Sequence, residues 1–343
     1  MINRQIVLAS RPVGPIDDTT TALVEGERPD CGPGQALVKV GMLSVDPAMR
    51  GWMNDVASYV APIGLGDVIR SAGAGLVVES RSPFYGEGDV VFGLTGWQEW
   101  AIADDANRMT VIPAGLGMDL ATYMNVLGAT GMTAYFGLLD VGRFLAGDVV
   151  VVSGAAGATG SVVGQLARAR GASRVVGVAG GPEKCAYVVE HLGFDECLDY
   201  REAHLSRRLH GACPQGVDLY FDNVGGEVLD AALANLAMRG RVVVCGSIST
   251  YNEAERRTGV YNTPVLIVRR GSMQGFIVFD FVDRYPEARE ELAAMLRRGE
   301  LVHDEYLVQG LENAPGALRT LFSGANMGKT LVVVDPSIKL ADA

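Results

Sequence analysis

The sequence predicts an α/β chain, with a β-rich first part followed by a doubly wound parallel sheet. Three observations lead there. Val149-Val150-Val151-Val152 is a continuous β-branched run, the pattern of a parallel strand buried on both faces. It leads directly into Gly154-Ala155-Ala156-Gly157-Ala158-Thr159-Gly160, a turn of small residues. Before about Asn125 the strand-like runs are short and punctuated by Gly, Pro and Asp, whereas from about Gly128 strands and helices alternate.

In chain order, the runs Ala36 to Val45, Gly75 to Glu79 and Val90 to Phe92 read as strands joined by loops, an all-β pattern. The second part reads as strands near 149–153, 174–178, 196–199, 217–222 and 240–245 with helices between them. Next come a run from Ser272 to Phe279, a charged helix from Tyr285 to Arg298, a short β region, a helix from Glu312 to Ser323 and a strand from Thr330 to Val334. These last pieces are expected to return to the first part. The tail from Asp335 to Ala343 carries no packing signal and is expected to be a loose end.

The glycine segment points to a dinucleotide. Val162, Val163, Leu166 and Ala167 recur at helical spacing, so a helix starts inside the loop and its amino-terminal dipole faces the loop. A pyrophosphate is stabilised in such a place, with Gly154, Ala156, Gly157, Ala158 and Thr159 as its candidate contacts. A chain with 44 glycines produces this spacing by chance, so its position between a buried strand and an apolar helix is what gives it weight. The second strand ends in Gly180-Gly181-Pro182-Glu183-Lys184, with no acidic residue at its end to bond a ribose 2′-hydroxyl. Lys184 favours a 2′-phosphate, hence NADP(H). A solvated lysine opening the next helix, and a plain turn at Gly180-Gly181, are the competing readings.

Composition excludes other classes. A net charge of −11 and a pI near 4.9 argue against nucleic acid or an anionic membrane as partner. Five cysteines, an odd number without paired spacing, suit a reducing cytoplasm. The amino terminus has too short an apolar run for a signal-peptide core, and no stretch is long enough to span a bilayer.

Several dispersed segments carry a resemblance. They are Asn3-Arg4-Gln5 with Arg11-Pro12-Val13-Gly14, Ser44-Val45-Asp46-Pro47 with Met49-Arg50, Gly128 to Tyr135, Ala156-Gly157-Ala158, Tyr220 to Gly226, and Cys245-Gly246-Ser247-Ile248-Ser249-Thr250-Tyr251-Asn252. With them the chain resembles the zinc-independent branch of the medium-chain dehydrogenase/reductase superfamily. That branch includes leukotriene B4 12-hydroxydehydrogenase/prostaglandin reductases, plant double-bond reductases and curcumin-reductase-like enzymes. The resemblance implies a GroES-like substrate domain, residues 1–126 and 300–343, and a Rossmann NADP(H)-binding domain, residues 127–299. It also implies a homodimer in which the last Rossmann strand, near Met273 to Phe279, pairs across subunits.

Zinc is tested on the residues. Catalytic zinc in related alcohol dehydrogenases needs a Cys near Ser44 to Asp46 and a His about twenty residues on. Val45 and the stretch Asp67 to Ala72 offer neither, and His191, His204, His210 and His303 stand at no ligand spacing from a cysteine. No metal is expected. Without a Lewis acid, oxidation of an unactivated alcohol lacks a stabiliser for the alkoxide, whereas reduction of an enone needs only hydrogen-bond donors near the enolate oxygen.

The resemblance implies Tyr251 as the donor to the carbonyl or the nicotinamide ribose. It implies cofactor contacts at Gly180, Tyr200, Asn223, Gly246, Ser247, Ser249 and Asn326, although Tyr200 reads equally as a strand-end packing residue. The chain departs from the family at Ala48, where many relatives carry a tyrosine that faces substrate in the plant enzymes. The substrate pocket is then expected from Ala48, Arg50, Trp52, Tyr59 and Tyr251, widened toward bulky enones. The leading expectation is NADPH-dependent reduction of α,β-unsaturated ketones or aldehydes. An NADPH-dependent quinone reductase and an NADPH-binding protein without catalysis are the rivals.

Overall fold

The computed structural model describes residues 1–253 and 259–340. Two large sheets organise them. Six strands form an all-parallel sheet in the spatial order Glu196–Asp199, Arg174–Ala179, Val149–Ser153, Val217–Asp222, Leu236–Val244 and Ser272–Gly275. This is the doubly wound order, with the chain reversing direction across the sheet at Val149–Ser153. The sequence produces it because the central strands are apolar on both faces: Val150, Val151, Val152, Leu219, Tyr220 and Phe221 are all fully buried. The helix Ala158–Ala169 covers one face by inserting Val162, Val163, Leu166 and Ala167, each without exposure.

The second sheet has seven strands. Glu305–Gln309 and Lys329–Val333 join Ala36–Ser44, Ala72–Ser80, Val90–Leu94 and Thr110–Val111, with Trp100–Ala103 also paired to Ala36–Ser44. The chain thus leaves this sheet, builds the six-stranded one and returns, so that Leu331 pairs with Ser44. One apolar core runs through the junction, from Met42 and Ala74 through Tyr123, Met124 and Leu331 to Val152 and Phe221. Among the described residues no helix is long and apolar enough to cross a membrane.

Three expectations need correction. The first part is not purely β, because short helices occupy Ala48–Trp52 and Leu120–Asn125, the latter capped by Asp119 accepting from the Thr122 N–H. The run expected from Ser272 to Phe279 stops as a strand at Gly275, after which Phe276 packs edge-on against Phe281 and the chain enters a 3₁₀ helix at Val278–Arg284. The tail is not loose as far as Ile338. Val334 and Asp335 donate their N–H groups to the Gly41 carbonyl, Lys39 pairs with Asp335, and Ile338 is 7% exposed. Gly41 explains this, since a Cβ there would stand 2.8 Å from Ile338 and its absence makes the socket. Residues 341–343 lie outside the described ones.

Gly164, in the middle of the helix Ala158–Ala169, faces the Phe194 ring so closely that a Cβ would overlap it. On helix propensity alone Gly164→Ala would stabilise by about 1 kcal/mol. Here the overlap dominates, and we expect a loss of about 1–3 kcal/mol. A raised urea midpoint for the variant would contradict this packing.

Candidate functional site

The site is built at the carboxyl ends of the parallel strands, the place where open α/β sheets hold ligands. The first strand ends at Ser153, and Gly154 then turns with φ +61°, a left-handed conformation that suits glycine. The Gly157 N–H closes the turn onto the Gly154 carbonyl at 2.9 Å, and Gly157 caps the helix that begins at Ala158. A side chain at Gly160 would overlap the same carbonyl, so the helix approaches the strand closely only because residue 160 has none. Ala156 is buried, while Ala158 and Thr159 are half-buried at the helix start. The loop leaves amide groups and the positive end of a twelve-residue helix facing the cleft.

A segment of the other sheet closes this loop. The Gly328 N–H donates to the Ala156 carbonyl at 2.9 Å, and Gly328 bridges to Gly157. Asn326, 8% exposed, lies in this crossing segment with its amide toward the Gly328 carbonyl at 3.4 Å. Its neighbour Lys329 is 2% exposed and pairs with Asp46 at 2.5 Å, while Ser44 also bonds that carboxylate. The glycine loop is thereby tied to the segment that carries Ala48.

The fourth strand ends in a node around Asp222, which is wholly buried. One of its oxygens accepts from the Tyr220 hydroxyl at 2.8 Å, Ser153 at 3.1 Å, the Val224 N–H at 3.1 Å and the Gly225 N–H at 2.9 Å. Burial raises its pKa, while those hydrogen bonds oppose the rise. Its backbone carbonyl accepts from Cys245 and Gly246, at the end of the fifth strand. Asn223 sits on the first strand's end, its amide donating to the Ser153 carbonyl at 2.7 Å and its N–H to the Ser153 hydroxyl at 2.9 Å. Ser247 lies beside Gly225, where a Cβ would collide with its hydroxyl, and Ser249 donates to the Val224 carbonyl at 2.7 Å.

Tyr251 follows the 3₁₀ turn Ile248–Thr250 and curls back over Gly246. The Ser247 N–H donates to its hydroxyl at 3.2 Å, and that oxygen's own hydrogen has no acceptor among the described residues. Burial raises the phenol's pKa, the Ser247 bond lowers it, and Cys245 and Asp222 add to the rise. The group therefore stays protonated as a donor. Cys245 beside it is pushed up to about 12, by burial first and then by Asp222, so it carries no thiolate at neutral pH.

Tyr200 lies at Gly180, and the Lys184 ammonium lies near Gly324. The Tyr200 ring lies over Gly180, where a Cβ would stand 2.8 Å from it, and Lys184 lies in the short helix Pro182–Ala186 after the second strand. Burial lowers the Lys184 pKa, and the nearby Arg201 lowers it further, against a smaller opposing effect of Glu183. Arg201 lies outside the residues expected from the sequence, although the strand order points to it. The doubly wound order sets the third strand's end beside the second's, so residues after Asp199 must face residues after Ala179.

Across the cleft, Ala48 and Trp52 stand four residues apart on one short helix, hence on one face. The Trp52 indole N–H donates to the Tyr59 hydroxyl at 3.0 Å, with the rings edge to face. Tyr59 is 48% exposed, and Tyr251, Asp46 and Cys245 are near enough to act on it through space. Arg50 does not join them. It is 2% exposed, and its guanidinium bonds the Gly14 carbonyl at 2.6 Å, the Pro12 carbonyl at 3.2 Å and Asn54 at 2.6 Å. It holds the amino-terminal segment instead. Among the described residues no group of three or more His, Cys, Asp or Glu side chains could hold a metal ion. Val45, at the position of a zinc ligand in related alcohol dehydrogenases, is buried.

Comparison with known proteins decides the family. The N-terminal domain of oxidoreductase family matches residues 4–111, and the family described as zinc-binding dehydrogenase matches residues 158–294. NADPH-dependent curcumin reductase of Escherichia coli is 40% identical over 97% of this chain and 97% of its own. The chain is a medium-chain dehydrogenase/reductase. It falls in the zinc-independent branch with the 2-alkenal reductase (NADP(+)-dependent) of Nicotiana tabacum, which is 42% identical over 88% of each chain. The solved structure of CurA from Vibrio vulnificus in complex with NADPH superposes with a TM-score of 0.91, at 40% identity, over 97% of this dehydrogenase/reductase and 99% of that chain.

Proposed function

We propose that this chain is an NADPH-dependent reductase of the carbon–carbon double bond of α,β-unsaturated ketones and aldehydes. The observation that carries the reading is the Tyr251 hydroxyl, half-buried, protonated and anchored by the Ser247 N–H, with its own hydrogen unused among the described residues. The residues fit the cofactor: a side-chain-free glycine turn under a helix start receives a pyrophosphate, and Lys184 offers a cation where a 2′-phosphate arrives. Gly180, Tyr200, Asn223, Gly246, Ser247, Ser249 and Asn326 line the rest of its course. When bound, NADPH supplies the hydride that reaches the β-carbon. Tyr251 then donates to the carbonyl oxygen as charge develops there, directly or through the ribose hydroxyl, and water protonates the α-carbon. The fixed ends of the strands hold donor and substrate at reacting distance.

Ala48 leaves room on the face that Trp52 shares, and the Trp52–Tyr59 pair forms the far wall of that room. The reading therefore favours bulky or polycyclic enones. Names of relatives support it: curcumin and 2-alkenals are conjugated carbonyl compounds. Five thiols without disulfides support a cytoplasmic setting.

We also propose a homodimer. Ser272–Gly275 is the outer strand of the six-stranded sheet, and Met273, Ile267, Val268, Phe279 and Val282 stand 43% to 82% exposed around it. An open edge beside apolar side chains is a site for pairing with a second copy.

Three measurements test these readings. NADPH oxidation is expected with 1-octen-3-one and larger enones, and Tyr251→Phe should reduce turnover about ten- to a thousandfold, more than it weakens NADPH binding. Turnover of quinones alone would favour a quinone reductase, and NADPH binding without turnover on a broad panel would favour a non-catalytic protein. Lys184→Ala should weaken NADPH by about 1.5–3 kcal/mol and leave NADH nearly unchanged, so equal losses would remove the phosphate role. Sedimentation velocity should give a dimer that Val268→Asp shifts toward monomer. A wild-type monomer at micromolar concentration would end the dimer proposal.

A further inference from the structure

We propose that Arg201 is a second cation for the ribose 2′-phosphate, so that this chain selects NADPH with a lysine–arginine pair. The inference rests on the cofactor part of the reading above and not on the reaction.

Two positive side chains converge on one point. A Cβ at Gly324 would stand 3.7 Å from the Arg201 guanidinium and 3.8 Å from the Lys184 ammonium. A Cβ at Gly181 would stand 3.1 Å from the same guanidinium. Arg201 thus spans the mouth of the Gly180-Gly181 turn, with Lys184 and the ring of Tyr200 beside it; its guanidinium lies 6.0 Å from that ring's centre.

Neither cation has an ion-pair partner among the described residues. Arg4, Arg168, Arg170, Arg174 and Arg284 all end on carboxylates. Asp199 acts on Arg201 only through space, its carboxylate accepting the backbone N–H groups of Gly181 and Arg201, the latter at 2.9 Å. Glu183 acts on Lys184 more weakly than Arg201 does. Two like charges held together cost free energy, which an anion between them offsets. A phosphate monoester carries about two negative charges near neutral pH and several acceptor oxygens, matching one ammonium and one guanidinium fork.

The surroundings explain how the pair persists before an anion arrives. Gly324 ends the helix Ala314–Ser323, so the negative end of a ten-residue helix dipole faces both cations. Gly324 has φ +70° and no side chain, which leaves the space between them open. The rival role for Arg201 is packing on the face of Tyr200 alone, with no ligand.

The test is binding of adenosine 2′,5′-bisphosphate and of 5′-AMP to the full chain, by calorimetry, without any reduction assay. Arg201→Gln is expected to weaken the bisphosphate about tenfold or more while leaving 5′-AMP within about twofold, and Arg201→Lys should recover most of the loss. Lys184→Ala combined with Arg201→Gln should bring the two ligands to nearly equal affinity. An unchanged ratio of affinities in Arg201→Gln would overturn the proposal, as would equal weakening of both ligands, the signature of a packing role. A chain that discriminates through Arg201 yet reduces no enone would refute the proposed reaction and leave this assignment standing.

Discussion

The buried carboxylate of Asp222 joins the ends of three adjacent strands, and the geometry of the cleft follows from it. Through its side chain it gathers Tyr220, Ser153 and the amides of Val224 and Gly225, and through its backbone it fixes Cys245 and Gly246. Asn223 and Tyr251 sit one and a few residues beyond these anchors, so neither needs a scaffold of its own. A buried carboxylate is costly, and here four hydrogen bonds to Oδ1 offset that cost and hold the node rigid, while Oδ2 has no partner among the described residues. Rigidity here matters for function because a donor contributes to a transition state only if it is aimed before the charge develops.

The second constraint is close approach without side chains. Gly160 lets the helix start touch the turn after the first strand, and Gly328, whose N–H bonds the Ala156 carbonyl, lies against the Asp304 backbone only because it has no side chain. A Cβ there would run into the Asp304 carbonyl, and φ is +66°. One backbone hydrogen bond, from Gly328 to Ala156, thereby links the two sheets at the glycine loop. The Lys329–Asp46 pair extends this link to the short helix carrying Ala48 and Trp52.

Much of this was legible in the sequence because it depends on pattern. Continuous Val runs marked the doubly buried strands, and the order of strands and helices gave the sheet its class. The glycine loop was readable because its chemistry needs the absence of side chains at fixed positions next to a strand. Partnerships across distant segments were not readable. Nothing local announces that Arg50 would turn to Pro12 and Gly14, that Lys329 would be buried against Asp46, or that Ile338 would enter the socket over Gly41. Arg201 is an intermediate case: its neighbour across the strand ends follows from the sheet order, but its lack of an ion-pair partner among the described residues appears only in three dimensions.

The returning strands have a consequence for the order in which the molecule can be made. The six-stranded sheet has all its members once the ribosome has passed Gly275, whereas the sheet begun at Ala36 stays incomplete until Val333 has emerged. The half made last in time is therefore the half that starts first in sequence, and its central strand Ala36–Ser44 waits with Met42 to Ser44 unpaired on one flank while the other half closes. A nascent chain halted between those two points would hold a complete cofactor fold beside an open β edge, the kind of surface chaperones cover.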